Sequence, residues 1–457
     1  EHFDSKNSPC TSPESAMTTE IEAGLAFSNE DDGDDRGLSA TPESIPPSHI
    51  CNREKIHVLI RFGLPMYLVG TFGLLLASDL GSGVSADQQY TSYLGKVELY
   101  DTILTVSIFS SVSELWKAGS YALAIFIVIT SICWPYIKLA LTLLVWILPF
   151  RKGPKSLRRR ERLVEWLDAL GKWSFVDIKV FIIVMVAFRM NIEVPAGYID
   201  IFIVPKWGFF GFVVASMLSL AGTHYTLYLH RLVMYGRDKN GGQPRDEGAE
   251  GPKCNENERT GLIKKTKRHS WVVGLLLFCT FVLILVGSLL DIFTYTYTQG
   301  GNAKPDKSYS LVTIGTAIRE ASPTPDEFGM YFVQIFFFVL VIATPLYNIF
   351  LFSLLYFWPL SIDTQKKLFF LTEITFAWGA LEVFFISAIF SIQQIPKFGT
   401  GIVSSGCDTC YVVGAKLLPQ FAVLGVASVL NFGLTLWLFW GAHGTLYKHS
   451  GPKGCWI

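Results

Sequence analysis

The chain has 457 residues, of which 50% are hydrophobic and 17% are charged, and its mean hydropathy is +0.38. Because a soluble domain usually carries about 25% charged residues, this composition excludes an ordinary soluble globular protein. Basic and acidic residues both number 38, so the charge balance gives no support to nucleic-acid binding. The composition predicts a membrane protein.

The N-terminal segment, residues 1–54, differs from the rest of the chain. Residues 1–50 hold eleven acidic residues, two basic residues and five prolines. Such a segment buries too little apolar surface to offset its conformational entropy, which predicts a disordered acidic tail. A solvated tail and an interaction motif both remain open for it.

Eight apolar stretches follow, and each is about as long as a helix that crosses a bilayer. Within lipid we expect helices, because every backbone amide there needs a partner in its own segment. The predicted spans lie near 62–78, 119–149, 174–192, 208–229, 271–293, 330–357, 376–394 and 417–441. The predicted fold is therefore an all-α polytopic membrane protein.

The loops between the spans predict the orientation, because Lys and Arg accumulate on the cytosolic side. Placing both termini in the cytosol puts 25 basic residues near cytosolic span ends and eight on the opposite side. The sequence thus predicts a multi-pass integral membrane protein with both termini in the cytosol. On the opposite side, alternation within 97–114 and 309–320 predicts small loop structures with short strands.

An internal repeat divides the chain into two halves. WPYIK at 134–138 is echoed by TPLYN at 344–348, and GKWSFVD at 171–177 by FAWGALE at 376–382. Four spans in each half predict two parallel repeats of four helices. The predicted domains are 1–54 (acidic tail), 55–235 (first membrane domain), 236–270 (charged linker), 271–445 (second membrane domain) and 446–457 (short cytosolic tail).

The repeated segments resemble the paraquat-inducible protein A (PqiA) family of integral membrane proteins. Pro-x-x-Lys in one span, followed by Trp-x-x-x-(Asp/Glu)-Val-Phe in the next, is that family's hallmark. GSYALAIFIVITSICWPYIKLALTLLVW at 119–146 with LGKWSFVDIKVFIIVMVAF at 170–188 resembles it, and AWGALEVFFISAIFSI at 377–392 is similar to its second part. The resemblance covers 57–445 as two family domains.

The resemblance implies a role in lipid transport. Bacterial members are implicated in moving lipids across the envelope together with MCE-domain proteins. It therefore implies membrane lipids as partners, with an MCE-type or another lipid-conduit protein beside them. Bacterial members also carry cytosolic four-cysteine zinc ribbons. Because the corresponding segments here offer Cys10, Cys51 and Cys254, we expect no ribbon and a eukaryotic or otherwise divergent member.

Polar residues inside the spans are the candidates for function, because a charge within a bilayer is costly and faces protein or water. Lys138 and Asp177 lie at comparable depths, which predicts an ion pair between neighbouring spans. In the second repeat Asn348 stands opposite Glu382, which leaves this acid without a predicted cation. Lys179 is a further candidate. These groups either join helices or line a cavity for a lipid headgroup or a proton.

Prolines and tryptophans mark the same segments of both halves. Pro135 and Pro345 are expected to kink their long spans and to free backbone carbonyls. Trp173 and Trp378 open the next span, where an interfacial anchor and a substrate contact are both open interpretations.

A cysteine pair supports a different function. Cys407 and Cys410 form a Cys-x-x-Cys in a predicted extracytosolic loop, which is typical of a structural disulfide or of a thiol oxidoreductase. Nothing in the sequence resembles a nucleotide-binding loop, a catalytic triad or a metal-ligand cluster. We therefore expect no enzyme activity, cofactor or metal. Lipid transport is the leading hypothesis, and a non-transporting scaffold and a thiol oxidoreductase are the alternatives.

Overall fold

The structure is a computed structural model that describes residues 58–93, 97–117, 119–148, 154–194, 197–235, 262, 270–299, 302–303, 307–403 and 411–446. The predicted acidic tail at 1–54 lies outside these ranges, as do nearly all of the linker at 236–270 and of the tail at 446–457. Cys10, Cys51, Cys254, Cys407 and Cys410 also lie outside the described residues.

The first half of the chain alternates long apolar helices with short strands. Its elements are α1 (Val58–Leu80), β1 (Val84–Ser92), β2 (Val97–Val106), α2 (Ile108–Lys117), α3 (Tyr121–Ile127), α4 (Trp134–Ile147), α5 (Pro154–Ala169), α6 (Val176–Ala187), β3 (Met190–Val194), β4 (Gly197–Pro205) and α7 (Trp207–Tyr235).

The second half has a similar order of elements. They are α8 (Ser270–Leu289), β5 (Asp291–Gln299), β6 (Asn302–Ala303), β7 (Lys307–Ser310), α9 (Leu311–Glu320), α10 (Phe328–Phe338), α11 (Thr344–Phe357), α12 (Ile362–Trp378), α13 (Leu381–Val403), β8 (Tyr411–Leu417) and α14 (Phe421–Leu446).

Seven helical stretches in the described residues are long and apolar enough to cross a membrane. They are Val58–Leu80, Tyr121–Ile147, Trp207–Leu232, Trp271–Leu289, Phe328–Phe357, Ile362–Pro396 and Phe421–His443. The predicted span at 174–192 is not among them, since α6 has 12 residues and measures about 18 Å at ~1.5 Å per residue. Nine of these residues are buried, so its apolar sequence reflects a central position in the bundle.

Each half carries a small antiparallel sheet. β1 pairs with β2 and β4, and β3 pairs with β4; in the second half β5 pairs with β6, β7 and β8. Strand β2 agrees with the alternation at 97–106, but the strand expected from Tyr309 onward is wrong after Ser310. There the Ser310 side chain accepts from the Thr313 amide at 3.1 Å and Thr313 Oγ1 accepts from the Ser310 amide at 2.6 Å. This capping box begins helix α9 instead.

Both long proline-bearing helices contain a π-helical segment that ends two residues before the proline. Residues Val128–Cys133 join α3 to α4, and Val339–Ala343 join α10 to α11. Proline has no amide hydrogen and its ring clashes with the preceding turn of an α-helix. A π turn changes the hydrogen-bond pattern at that point. Pro135 and Pro345 thus mark a change of helix type within a continuous helix, and the predicted kink stays a prediction.

The helix that follows each proline-bearing helix is interrupted at the hallmark tryptophan. Between α5 and α6 lies a 3₁₀ turn, Gly171–Phe175, and between α12 and α13 lie Gly379 and Ala380. The Trp134 indole donates to the Leu170 carbonyl at 2.9 Å, and the Ala380 amide donates to the Leu340 carbonyl at 3.0 Å. The interruption of one helix therefore satisfies polar groups beside the π segment of its neighbour.

The two halves pack against each other through their interrupted helices. Helix α6 lies along α13, and Phe126 stacks on Phe390 with ring centroids 4.6 Å apart. At the start of α10, Gly329 lies against the ring of Phe210 at the start of α7. Both sheets therefore lie at one end of the bundle, which we call the sheet end. The opposite end, where α5 lies, is the α5 end.

Candidate functional site

Lys138 lies in the interior of the first half, on α4. Its side chain is 1% exposed, and it lies against Gly171, where an added Cβ would be 2.6 Å from Nζ. The predicted ion pair with Asp177 is wrong, because these two side chains are not within ion-pair distance. Lys138 is instead under the negative charge of Asp168, whose Oδ1 lies 2.8 Å from His224 Nδ1. Asp168, the acid whose charge acts on Lys138, lies before the interruption at Gly171, on α5 and not on α6.

Glu382 does have a cation, contrary to the expectation that it faces Asn348 alone. Lys172 Nζ lies 3.1 Å from Glu382 Oε2, and Asn431 Nδ2 donates to Glu382 Oε1 at 3.1 Å. Lys172 is 1% exposed, with its Nζ 4.1 Å from the Phe376 ring centroid. In the sequence, Lys172 lies just outside the predicted span at 174–192. The 3₁₀ turn brings it inside and makes it the link between the two halves.

Asn348 occupies the position in the second half that Lys138 occupies in the first. Its Nδ2 donates to the Thr372 carbonyl at 2.9 Å and to Thr375 Oγ1 at 2.7 Å. Thr435 donates to its Oδ1 at 3.4 Å. Asn348 therefore joins α11 to α12 and α14 by hydrogen bonds.

Asp177 lies at the start of α6, where it is partly buried. Among the described residues no cation lies within ion-pair distance of it, and the neighbouring charge that acts on it is another carboxylate, Asp79. Asp79 is fully buried and accepts a hydrogen bond from the Tyr136 hydroxyl at 2.7 Å. The first half thus places two acids together where the second half has an acid with a cation.

Lys179 is fully buried two residues further along α6. Its Nζ has no hydrogen-bond partner among the described residues. Two rings of α10 lie near it, with the centroid of Phe336 at 5.4 Å and that of Phe337 at 5.2 Å. A primary amine in this position has lost its hydration, and among the described residues it gains contacts with aromatic faces instead.

A charged cluster at the α5 end was not predicted from the sequence. Arg231 of α7 forms a two-point contact with Glu373 of α12, including Nη2 to Oε1 at 2.9 Å. Its Nη2 also donates to Glu165 at 3.0 Å, and its Nε lies 3.6 Å from Glu161. These acids come from both halves, so Arg231 joins the halves at this end.

His443 extends the same cluster. Its Nε2 lies 3.7 Å from Glu165 Oε1, and ligand atoms of Glu161, Glu165 and His443 lie within 4.8 Å of one another. This spacing is compatible with a cation, but the Arg231 guanidinium already supplies positive charge there. Burial raises the pKa of Glu165, and the charge of Arg231 opposes that rise.

An apolar cavity of about 400 Å³ lies at the sheet end, between the two halves. Val214 and Phe328 on its wall are exposed, so the cavity opens on the surface of the bundle. Polar groups are few among its lining residues, which are Val204, Pro205, Phe210, Val214, Ser322, Glu327, Phe328, Gly329, Met330 and Phe332. Nearby, Arg189 donates to the Ser322 carbonyl at 3.5 Å.

The tryptophans of the hallmark lie at equivalent places. Trp173 is in the 3₁₀ turn before α6 and Trp378 is the last residue of α12. Both are partly buried and pack against the main hydrophobic core. Among the described residues, Trp173 and Trp378 do not line the cavity.

Three of the missed residues had a signal in the sequence. Lys172 directly precedes Trp173 in the repeated motif, and Glu161 and Glu165 are four residues apart on α5, which places them on one helix face. For Arg231 the sequence offered no such signal, because its acidic partners lie 66 and 142 residues away.

Comparison with known proteins bears on the first half. The family model described as paraquat-inducible protein A matches residues 94–227, a range that includes Lys138, Lys172, Asp177 and Lys179. No curated protein and no solved structure matches the chain. Over residues 94–227, this multi-pass membrane protein is therefore similar to the paraquat-inducible protein A family.

Proposed function

We propose that this protein binds membrane phospholipid and moves it between or across membranes. The proposal is supported by the family match at residues 94–227, by the apolar helices long enough to span a bilayer, and by polar groups inside the bundle. A purely structural bundle has no need for a lysine as deeply buried as Lys179, since charged groups inside a membrane are costly.

The observation that carries the proposal is the cavity at the sheet end. A cavity of about 400 Å³ lies within the range of small-ligand sites, roughly 300–1,000 Å³, which are mostly apolar with a few polar groups. Its wall fits this description, with Ser322 and Glu327 among apolar side chains. Because it opens on the surface of a membrane protein, lipid is the ligand that reaches it most directly.

The contacts between the two halves are unevenly distributed along the bundle. Arg231 joins them by charge at the α5 end, and Lys172 with Glu382 joins them within the interior. At the sheet end the facing residues are largely apolar, as with Gly329 against Phe210. This arrangement supports a transporter that holds lipid at the sheet end while its other end stays closed.

A conduit partner is part of the proposal. Lipid that leaves the cavity at the sheet end needs an apolar path through water, which an MCE-type or another lipid-conduit protein would supply. The sheets β1–β4 and β5–β8 lie at that end, and their strands are the natural place for such a partner to dock.

Filling the cavity tests the proposal. In Val214→Trp a large ring would occupy the cavity, whereas Val429→Trp makes the same change on an exposed face of α14. Native mass spectrometry should find co-purified lipid on the wild type and on Val429→Trp, and severalfold less on Val214→Trp. Lipid transfer by the reconstituted proteins should follow the same order.

A different result would favour the scaffold alternative. If the wild type retains no lipid, or if Val214→Trp retains and transfers lipid as the wild type does, the cavity is not a lipid site. Thermal unfolding of both variants in detergent ensures that a loss of lipid reflects the filled cavity and not a misfolded protein.

A further inference from the structure

Lys179 is a fully buried amine that lies beside no acid among the described residues. Its side chain is 0% exposed, and among the described residues its Nζ has neither a hydrogen-bond acceptor nor a carboxylate at ion-pair distance. Lys172, seven residues earlier, differs in this respect, because its Nζ lies 3.1 Å from Glu382 Oε2. Both lysines are equally buried, so burial alone does not explain why Lys179 lacks an acid.

Aromatic rings connect Lys179 to the cavity. Its Nζ lies 5.4 Å from the centroid of the Phe336 ring. Phe336 stacks on Phe332, with centroids 5.9 Å apart and planes at 20°, and Phe332 lines the cavity. Two stacked rings on one face of α10 therefore separate the amine from the lipid site.

These rings are a barrier that rotamer changes can open. Phe332 is partly buried, and side chains of this kind move without unfolding of their helix. Displacement of Phe332 and Phe336 would extend the cavity to Lys179. An anionic group arriving there would favour the protonated amine, an ammonium with three donors, because charge attraction is strong in a medium of low dielectric constant.

We propose that Lys179 recognises the headgroup of a net-anionic lipid bound in the cavity. The proposal rests on the proposed function and adds the class of lipid. A zwitterionic headgroup carries its own ammonium close to the phosphate, so it compensates Lys179 less well than a headgroup with net negative charge. Glu327, the acid in the cavity wall, is exposed, and its charge is screened by water and salt.

The test compares two lipids that differ in the headgroup. Protein is incubated with vesicles of equimolar dioleoylphosphatidylglycerol and dioleoylphosphatidylcholine, purified again, and its retained lipid is quantified by native mass spectrometry. Both headgroups offer a phosphate to Lys179, but phosphatidylcholine also brings a cation close to it, so the wild type should favour the anionic lipid about tenfold or more. Lys179→Met should bring the ratio to about one.

Control variants separate the role of Lys179 from general effects of lysine removal. Lys117→Met makes the same change on the surface of α2, where the lysine pairs with Glu114, and it should keep the wild-type ratio. Lys179→Gln retains a polar side chain without the charge, and it should lose the preference as Lys179→Met does. The glutamine variant replaces the methionine variant in the test if a thermal melt shows that Lys179→Met is poorly folded.

The outcomes distinguish this inference from the proposed function. If the wild type retains lipid without a preference for phosphatidylglycerol, or if both Lys179 variants keep the preference, the assignment of Lys179 is overturned while lipid binding stands. If the wild type retains neither lipid, the proposed function fails first, and the inference fails with it.

Discussion

The two halves of the chain repeat an acid at the start of an interior helix, yet the surroundings of this acid differ. Glu382 of the second half lies 3.1 Å from Lys172 of the first and accepts a hydrogen bond from Asn431. Asp177 of the first half has no cation at ion-pair distance among the described residues, and the charge near it is Asp79. The repeat therefore conserves the position of the acid and not its partner.

The difference shows that part of the buried charge is balanced across the two halves, in addition to pairs within one half such as Arg231 with Glu161 and Glu165. Lys172 stands in the first half and neutralises an acid of the second, and Arg231 does the same for Glu373 at the α5 end. Lys138 and Lys179, by contrast, have no acid of the second half beside them. A protein built this way depends on the contact between its halves for the stability of buried charges.

Removing Lys172 should have the largest effect. Lys172→Met leaves Glu382 buried without its cation, and breaking a buried pair from one side costs about 3–5 kcal/mol of unfolding free energy. The double variant Lys172→Met with Glu382→Leu should recover most of this loss, because neither charge remains. Thermal unfolding in detergent measures both.

Lys179→Met provides the matched control for this prediction, since it removes an equally buried lysine that has no acidic partner. Its unfolding temperature should equal or exceed that of the wild type. If the Lys172 and Lys179 variants lose the same stability, the ion pair does not account for the difference between the halves.

The glycines at the two helix interruptions should differ by a smaller amount. A Cβ at Gly171 would lie 2.6 Å from Lys138 Nζ and 2.6 Å from Leu220 Cδ1, so Gly171→Ala should lose about 1–3 kcal/mol through overpacking. A Cβ at Gly379 would meet nothing nearer than 3.4 Å. Gly379→Ala should therefore gain about 0.4–1 kcal/mol, because alanine restricts the unfolded chain.

Chemical unfolding of the two alanine variants, each against the wild type, checks this pair. Equal losses at both positions would mean that the two interruptions are packed alike, contrary to the contacts of Lys138. A gain at Gly171 would show that Lys138 and Leu220 move aside without cost.

Much of the helical fold is readable from the sequence, because apolar stretches of spanning length leave a strong signal. The repeated proline and tryptophan motifs coincide with the π segments and the helix interruptions in both halves, although neither feature was predicted from them. The sequence does not show whether an apolar segment faces lipid or is covered by the rest of the protein. Segment 174–192 has the composition of a span but forms a 12-residue buried helix, since its neighbours and not lipid cover it.

The site was predicted less well, for a related reason. Lys138, Asp177, Lys179, Asn348 and Glu382 were recognised as interior polar residues, but their partners come from other parts of the chain. Lys172 and Glu382 are 210 residues apart, and no local pattern relates residues at that separation. The 3₁₀ turn that carries Lys172 inward also shifts its side chain by an amount that helical spacing does not predict.

Asp177→Asn should have the smallest effect on stability, and it tests the other side of the comparison. No cation is stranded when this charge is removed, and the charge opposing Asp79 disappears. We expect a change within about 0.5 kcal/mol, as for substitutions that break no specific interaction. Glu382→Gln, which removes the partner of Lys172, should cost about 1.5–3 kcal/mol, as for a hydrogen bond to a charged group.

Thermal melts of the two amide variants, together with lipid transfer in reconstituted vesicles, measure the contrast. A large loss of stability in Asp177→Asn would reveal a partner for its carboxylate and remove the distinction between the halves. Wild-type stability with failed lipid transfer would instead place Asp177 in the transport path.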